Sequence, residues 1–129
     1  MIQLDFGDHR PLYEQIRDKI KDLIISGALR ENEKIPSVRE LAQSLAINPN
    51  TIQKAYHELE SGGFIYSQRA KGSFVAPAAR VRVRTDENEL LAEVEAKVLE
   101  LFFLGVPKSS ITEVIDRIYE GGVKNDKGD

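Results

Sequence analysis

Asn50, Thr51, Gln53 and Lys54 form a short polar row, mostly uncharged, in a chain of 129 residues that is 30% charged. Solvated helix faces are more often filled with Glu and Lys. Amide and hydroxyl side chains at fixed spacing instead offer donors and acceptors together, which is the chemistry that reads base edges in the major groove of a duplex. Cations lie on both sides of the row in sequence. Over residues 34 to 82 seven basic side chains (Lys34, Arg39, Lys54, Arg69, Lys71, Arg80, Arg82) oppose three acidic ones (Glu40, Glu58, Glu60), although the whole chain has a formal charge of −3. The negative excess lies beyond residue 80. A local positive field around neutral hydrogen-bonding groups suits phosphate contacts that position and base contacts that specify.

Other chemistries are poorly provided for. The chain has no cysteine, which removes disulfides, Cys-based zinc sites and a thiol nucleophile. Its two histidines, His9 and His57, are far apart, and no acid and base stand at a credible catalytic spacing. No catalytic residue, metal ligand or cofactor is expected, and the chain does not read as an enzyme. No apolar run approaches the roughly 18 residues of a membrane span, and MIQLDFGDHR lacks the layout of a signal peptide. A cytoplasmic protein without a membrane partner is expected.

The elements that must hold the row are legible from periodicity. Leu12, Ile16, Ile20, Leu23 and Ile24 recur at helical spacing after Pro11 and stop at Gly27, while residues 28 to 35 read as a turn-like connector. Ser37 and Glu40 stand in capping-box relation at the start of a second helix carrying Val38, Leu41, Ala42 and Leu45. Asn48 suits an N-cap and Pro49 the first position of a third helix, with Ile52, Ala55, Tyr56 and Leu59 as its buried stripe and Gly62–Gly63 as its stop. Phe64 to Tyr66 and Phe74–Val75 read as a two-stranded ribbon whose polar tip, SQRAKGS, is basic. Helix, short helix, tight turn, helix and ribbon is the order of a winged helix-turn-helix. Ser37, Arg39 and Lys71 are donors suited to reach phosphate; Tyr56 fits the buried stripe, which favours core packing, with its hydroxyl as a further donor if it emerges on the DNA side.

Composition changes over residues 77 to 85. The fold expected is mainly α with a small β-hairpin: a winged helix-turn-helix over residues 1–78 and a two-helix segment over 79–129. In that segment Leu90, Leu91, Val94, Val98, Leu101 and Phe102 form one stripe, and Ile111, Val114, Ile115 and Ile118 another. Two such helices are too short to enclose a pocket, so the stripe reads as a homodimer surface, with an effector of unknown identity as a further partner. The tail GGVKNDKGD reads as frayed. The rival reading is a winged-helix module that binds protein through the outer face of its third helix.

The run KIPSVRELAQSLAINPNTIQKAYHELESGGFI followed by KGSFV, with PLYEQI and LIISGAL upstream, resembles the DNA-binding domain of the GntR family of bacterial transcription regulators over about residues 10 to 76. The short C-terminal part is similar to the YtrA subfamily, whose members are dimeric repressors. The resemblance implies a double-stranded operator as partner. It places Arg39 as a DNA contact of the second helix, Asn48, Asn50, Thr51 and Gln53 at the start of the recognition helix, and Arg69 to Gly72 at a wing tip reaching the minor groove. Ser37 and Lys54 complete the expected interface. Pro49 and Gln53 stand where relatives often carry arginine, and Ala70 where many have glycine. A glutamine at 53 favours adenine over guanine.

Overall fold

The computed structural model describes residues 4, 5 and 7–122. The tail expected to fray therefore lies outside the described residues from 123 onward. Two compact units are present, Met1–Arg84 and Thr85–Asp129.

In the first unit, α1 (Leu12–Ile25), α2 (Val38–Leu45) and α3 (Pro49–Ser61) pack around a small antiparallel sheet. The helix starts follow local chemistry. Ser37 accepts from the Glu40 amide at 3.0 Å while Glu40 accepts from the Ser37 amide at 2.9 Å, which completes the capping box of α2. Asn48 caps α3 by accepting the Asn50 amide at 2.8 Å, and Pro49 occupies a position whose missing N–H costs nothing. Between the two helices Ala46 takes the left-handed conformation, φ 56°, and closes the tight turn.

The core is made by the stripes that periodicity marks. Ile16, Ile52, Leu59, Ile65 and Val75 are fully buried, joined by Ile20, Leu41 and Ala55. Each of the Ile, Leu and Val side chains contributes roughly 1.5 to 3 kcal/mol when removed from water. α1 and α3 thus share one apolar seam. Gln15 is also buried, and three hydrogen bonds satisfy it: it accepts from the Asp5 amide at 2.9 Å and donates to the carbonyls of Asp5 and Arg10 at 3.1 and 3.2 Å. These bonds tie the segment before α1 onto the helix.

The sheet differs from the expected ribbon. β2 (Ile65–Gln68) and β3 (Gly72–Val75) form the hairpin, but β1 (Lys34–Ile35) adds to the other edge of β3, in the order β1-β3-β2. The stretch read as a connector therefore ends in a strand, paired Lys34 with Phe74 and Ile35 with Ser73. Two residues are too few to show alternation; only the long-range pairing reveals them. Ile35, Ile65 and Val75 point into the core, and Lys34, Tyr66 and Phe74 share the outer face.

The division between units falls after Arg84, inside the stretch 77 to 85 where composition changes and beyond the cut at residue 78. α4 (Ala78–Arg84) is held by the first unit: the Glu31 carboxylate accepts the Ala78 amide at 3.3 Å, and the Arg80 guanidinium lies 4.9 Å from the Tyr66 ring centroid. The α4 backbone also lies against Gly63, where a Cβ would come within 2.6 Å of the Arg80 carbonyl oxygen. Only glycine fits there.

The second unit contains α5 (Glu87–Phe103) and α6 (Lys108–Arg117), followed by a wider turn over Ile118–Gly122. Asp86 caps α5 by accepting the Asn88 amide at 3.0 Å.

Candidate nucleic-acid interface

Residues 50 to 53, in the first turns of α3, sort by helical phase. Ile52 is buried, Asn50 and Gln53 are exposed, and Thr51 is partly exposed. The same apolar stripe that docks α3 thus forces its amide and hydroxyl side chains outward at the end whose backbone N–H groups are least satisfied. Asn48 uses its side-chain oxygen in the cap, and that bond leaves its NH2 donors unused. Ser37 likewise accepts in its cap with the hydroxyl proton still to donate. Arg39 is exposed and forms no ion pair among the described residues.

The wing supplies the second group. Arg69 and Lys71 are exposed on the turn between β2 and β3, which is closed by the Lys71 amide donating to the Gln68 carbonyl at 2.9 Å. Ala70 at the turn's apex has φ 67°, a conformation that glycine adopts without strain. Gly72 follows at φ 120°.

Two of the residues considered for DNA contact have partners within the fold. Tyr56 is buried, as its place in the apolar stripe favours, and its hydroxyl, the alternative phosphate donor, donates instead to the Pro36 carbonyl at 2.6 Å. Burial, reinforced by the Glu40 carboxylate, raises its pKa, so the group stays a neutral donor committed to that carbonyl. It ties α3 to the entry of α2. Lys54 is exposed, but its ammonium sits 4.1 Å from the Tyr13 ring centroid on α1. An exposed cation–π contact is worth only about 0.5–1 kcal/mol, so Lys54 can exchange the ring for a phosphate. His57 is exposed on α3.

The three acids of the basic stretch are all occupied. Glu40 is held in the capping box, where hydrogen bonding from Ser37 lowers its pKa. Glu60 accepts from the Ser67 hydroxyl at 3.4 Å. Glu58 pairs with Arg17 of α1 at 2.7 Å, and Arg17 also contacts Asp18 at 3.0 Å. Hydrogen bonds to Asp18 and then Glu58 raise the Arg17 pKa, so the guanidinium is permanently charged. Tyr13 and Arg17 on α1 face Lys54 and Glu58 on α3, both pairs spaced i, i+4, so two rungs cross the solvent edge of the helix seam. Arg17 escapes a sequence reading confined to one helix at a time. The signal available was the matched spacing of the two polar pairs.

Among the described residues no group of His, Cys, Asp or Glu is arranged to hold a metal, and no helix is long and apolar enough to cross a membrane. A short second helix, a tight turn, a third helix with an exposed polar start and a basic β-wing together define a winged helix-turn-helix protein of the DNA-binding class. The chain belongs to the gntR family of bacterial regulatory proteins, whose model matches residues 12–75. The HTH-type transcriptional repressor YtrA of Bacillus subtilis is 35% identical over 130 residues, covering 98% of this chain and 100% of that protein. The crystal structure of a transcriptional antiterminator from Listeria monocytogenes EGD-e is 34% identical with a TM-score of 0.74, over 98% of this chain and 95% of that one. The DNA-binding domain of AraR in complex with operator ORE1 is 34% identical with a TM-score of 0.51, over 59% of this chain and 93% of that one. The chain is a DNA-binding transcription regulator, and the family's members are not enzymes.

Proposed function

We propose that this regulator is a repressor that binds a pseudo-palindromic operator as a two-fold homodimer and acts in the cytoplasm by occupying promoter DNA. The observation that carries the reading is the polar start of α3, held outward by its own buried stripe in a unit that also carries an exposed basic wing. Ser37, Arg39, Lys54, Arg69 and Lys71 supply salt-dependent affinity for phosphates, with Gly72 shaping the wing. Asn50, Thr51 and Gln53 discriminate bases, and Asn48, which caps the helix, adds a DNA contact through its free NH2 group. The similarity to a repressor of nearly the same length and to an operator-bound domain supports both halves of the mechanism.

The dimer rests on the second unit. Leu90, Leu91, Val94, Val98 and Phe102 of α5 are 36 to 76% exposed in the single chain, and Val114, Ile115 and Ile118 are exposed beside them in sequence. Leu101 is partly buried. Covering five or six such side chains per subunit, at roughly 1.5 to 3 kcal/mol each before entropy, is enough to sustain association. A two-fold dimer presents two α3 helices to half-sites about one helical turn apart. The same apolar surface is the route by which an effector would deliver a signal.

Fluorescence anisotropy with a labelled duplex from upstream of the protein's own gene, against a scrambled duplex at physiological salt, tests the reading. Specific binding is expected to exceed non-specific binding by about 10³ or more. Gln53→Ala is expected to lose about 1–3 kcal/mol against the cognate base pair alone. Unchanged sequence preference in that variant refutes base reading by Gln53.

A further inference from the structure

The outer face of the wing sheet holds a cation that the hairpin itself does not supply. Lys34, on β1, is exposed and pairs in register with Phe74 of β3, which puts its side chain on the same face as Tyr66 and Phe74. From there it extends toward the wing tip. The clearest sign is at Gly72: a Cβ built on that residue would come within 2.9 Å of the Lys34 Cε and 3.7 Å of its Nζ. The missing side chain of Gly72 leaves the space through which the lysine passes, and φ 120° at Gly72 keeps that space free of any ordinary residue. Lys34 thus ends beside residue 72, immediately after the turn that carries Arg69 and Lys71. Phe74 and Tyr66 stack at 5.6 Å to form the floor of this face.

The acids near Lys34 are already committed. Its neighbour Glu33 accepts from the Arg30 amide at 2.9 Å, and Glu31 caps α4 at Ala78. Glu40 feels the lysine's charge but is held by Ser37 in the capping box of α2. Lys34 forms no ion pair among the described residues. It therefore stands between two places already assigned to phosphate, the start of α2 with Ser37 and Arg39, and the wing tip with Arg69 and Lys71. An ammonium on a flexible stem with three free donors is suited to a phosphate oxygen and carries no sequence information.

We propose that Lys34 is a third cation of the wing, contacting the DNA backbone and joining the phosphate contacts of α2 to those of the β2–β3 turn. The proposal rests on the operator-binding reading above. It assigns to Gly72 the role of making room for a neighbour's side chain, in addition to shaping the turn.

The test is the salt dependence of binding of the full chain to the upstream and scrambled duplexes, for wild type, Lys34→Gln, Lys34→Arg and Arg69→Gln. Each lost phosphate contact lowers the slope of log K against log salt by about 0.9, so across a fourfold change in salt the affinity of K34Q should vary about 3.5-fold less than that of wild type. The same reduction is expected on both duplexes, with their affinity ratio unchanged and the wild-type slope restored in K34R. If K34Q keeps the wild-type slope while R69Q lowers it, the wing binds DNA and Lys34 does not, and the proposal is overturned with the operator reading intact. A change confined to the upstream duplex also overturns it, since a backbone contact acts on every sequence. Wild type that binds neither duplex in a salt-dependent way overturns both.

Discussion

Ala46→Gly should stabilise the protein, and the reason lies in one backbone angle. Ala46 closes the turn between α2 and α3 with φ 56° and ψ 46°, and its amide donates to the carbonyls of Ala42 and Gln43. For a residue with a Cβ this left-handed conformation costs roughly 1–2 kcal/mol through the contact of Cβ with the following carbonyl. Glycine removes that cost, while its freer unfolded chain takes back about 0.4–1 kcal/mol. Ala46 is exposed, so no buried contact is lost. The net gain is about 0.5–1 kcal/mol, which for a unit of this size raises the melting temperature by roughly 3–6 °C. Differential scanning calorimetry measures it directly. Ala42→Gly, four residues earlier and buried inside α2, is the control of opposite sign, expected to lose about 1 kcal/mol or more. A lower melting temperature for Ala46→Gly would mean that the turn is not strained as described, and the account of how α3 is aimed would fail with it.

Three further outcomes are expected. Tyr56→Phe removes the hydroxyl that bonds the Pro36 carbonyl at 2.6 Å and should cost about 1 kcal/mol in urea unfolding, with the salt slope of DNA binding unchanged; a reduced slope would return Tyr56 to the phosphate contacts. Phe102→Asp, at a residue 76% exposed in the single chain, should give monomers in sedimentation at low micromolar concentration without lowering helix content, and a persistent dimer would remove α5 from the interface. Because hydrogen bonds from Ser37 hold the folded Glu40 pKa below the ordinary 4.5, its contribution to stability is present above that value and disappears as the pH falls through the lower folded pKa. Glu40→Gln, which can keep the capping bond, should therefore flatten this part of the acid limb in pH-dependent unfolding; an unchanged limb would show that the capping carboxylate is not linked to folding.

Much of the interface follows from local rules. The capping box at Ser37, the N-cap at Asn48, the proline after it and the stripes through Ile16, Leu41 and Ile52 each depend on neighbours within about one or two helical turns, so they can be read from the chain directly. Once those stripes are buried, helical phase leaves Asn50 and Gln53 nowhere to point but outward. What the local pattern could not show involves partners distant in sequence. β1 is two residues long and exists only because β3 offers an edge, so Lys34 looked like part of a connector. Tyr56 matched both a buried stripe and a polar surface, and the choice was made by a carbonyl twenty residues away. Arg17 meets Glu58 forty-one residues along the chain, and α4 joins the first unit because Gly63 admits its backbone. Periodicity and capping are short-range effects and are written in the amino-acid order. Strand pairing, ion pairs between helices and the space left by a missing Cβ arise only when the chain closes on itself, and they decide which polar groups remain free to meet DNA.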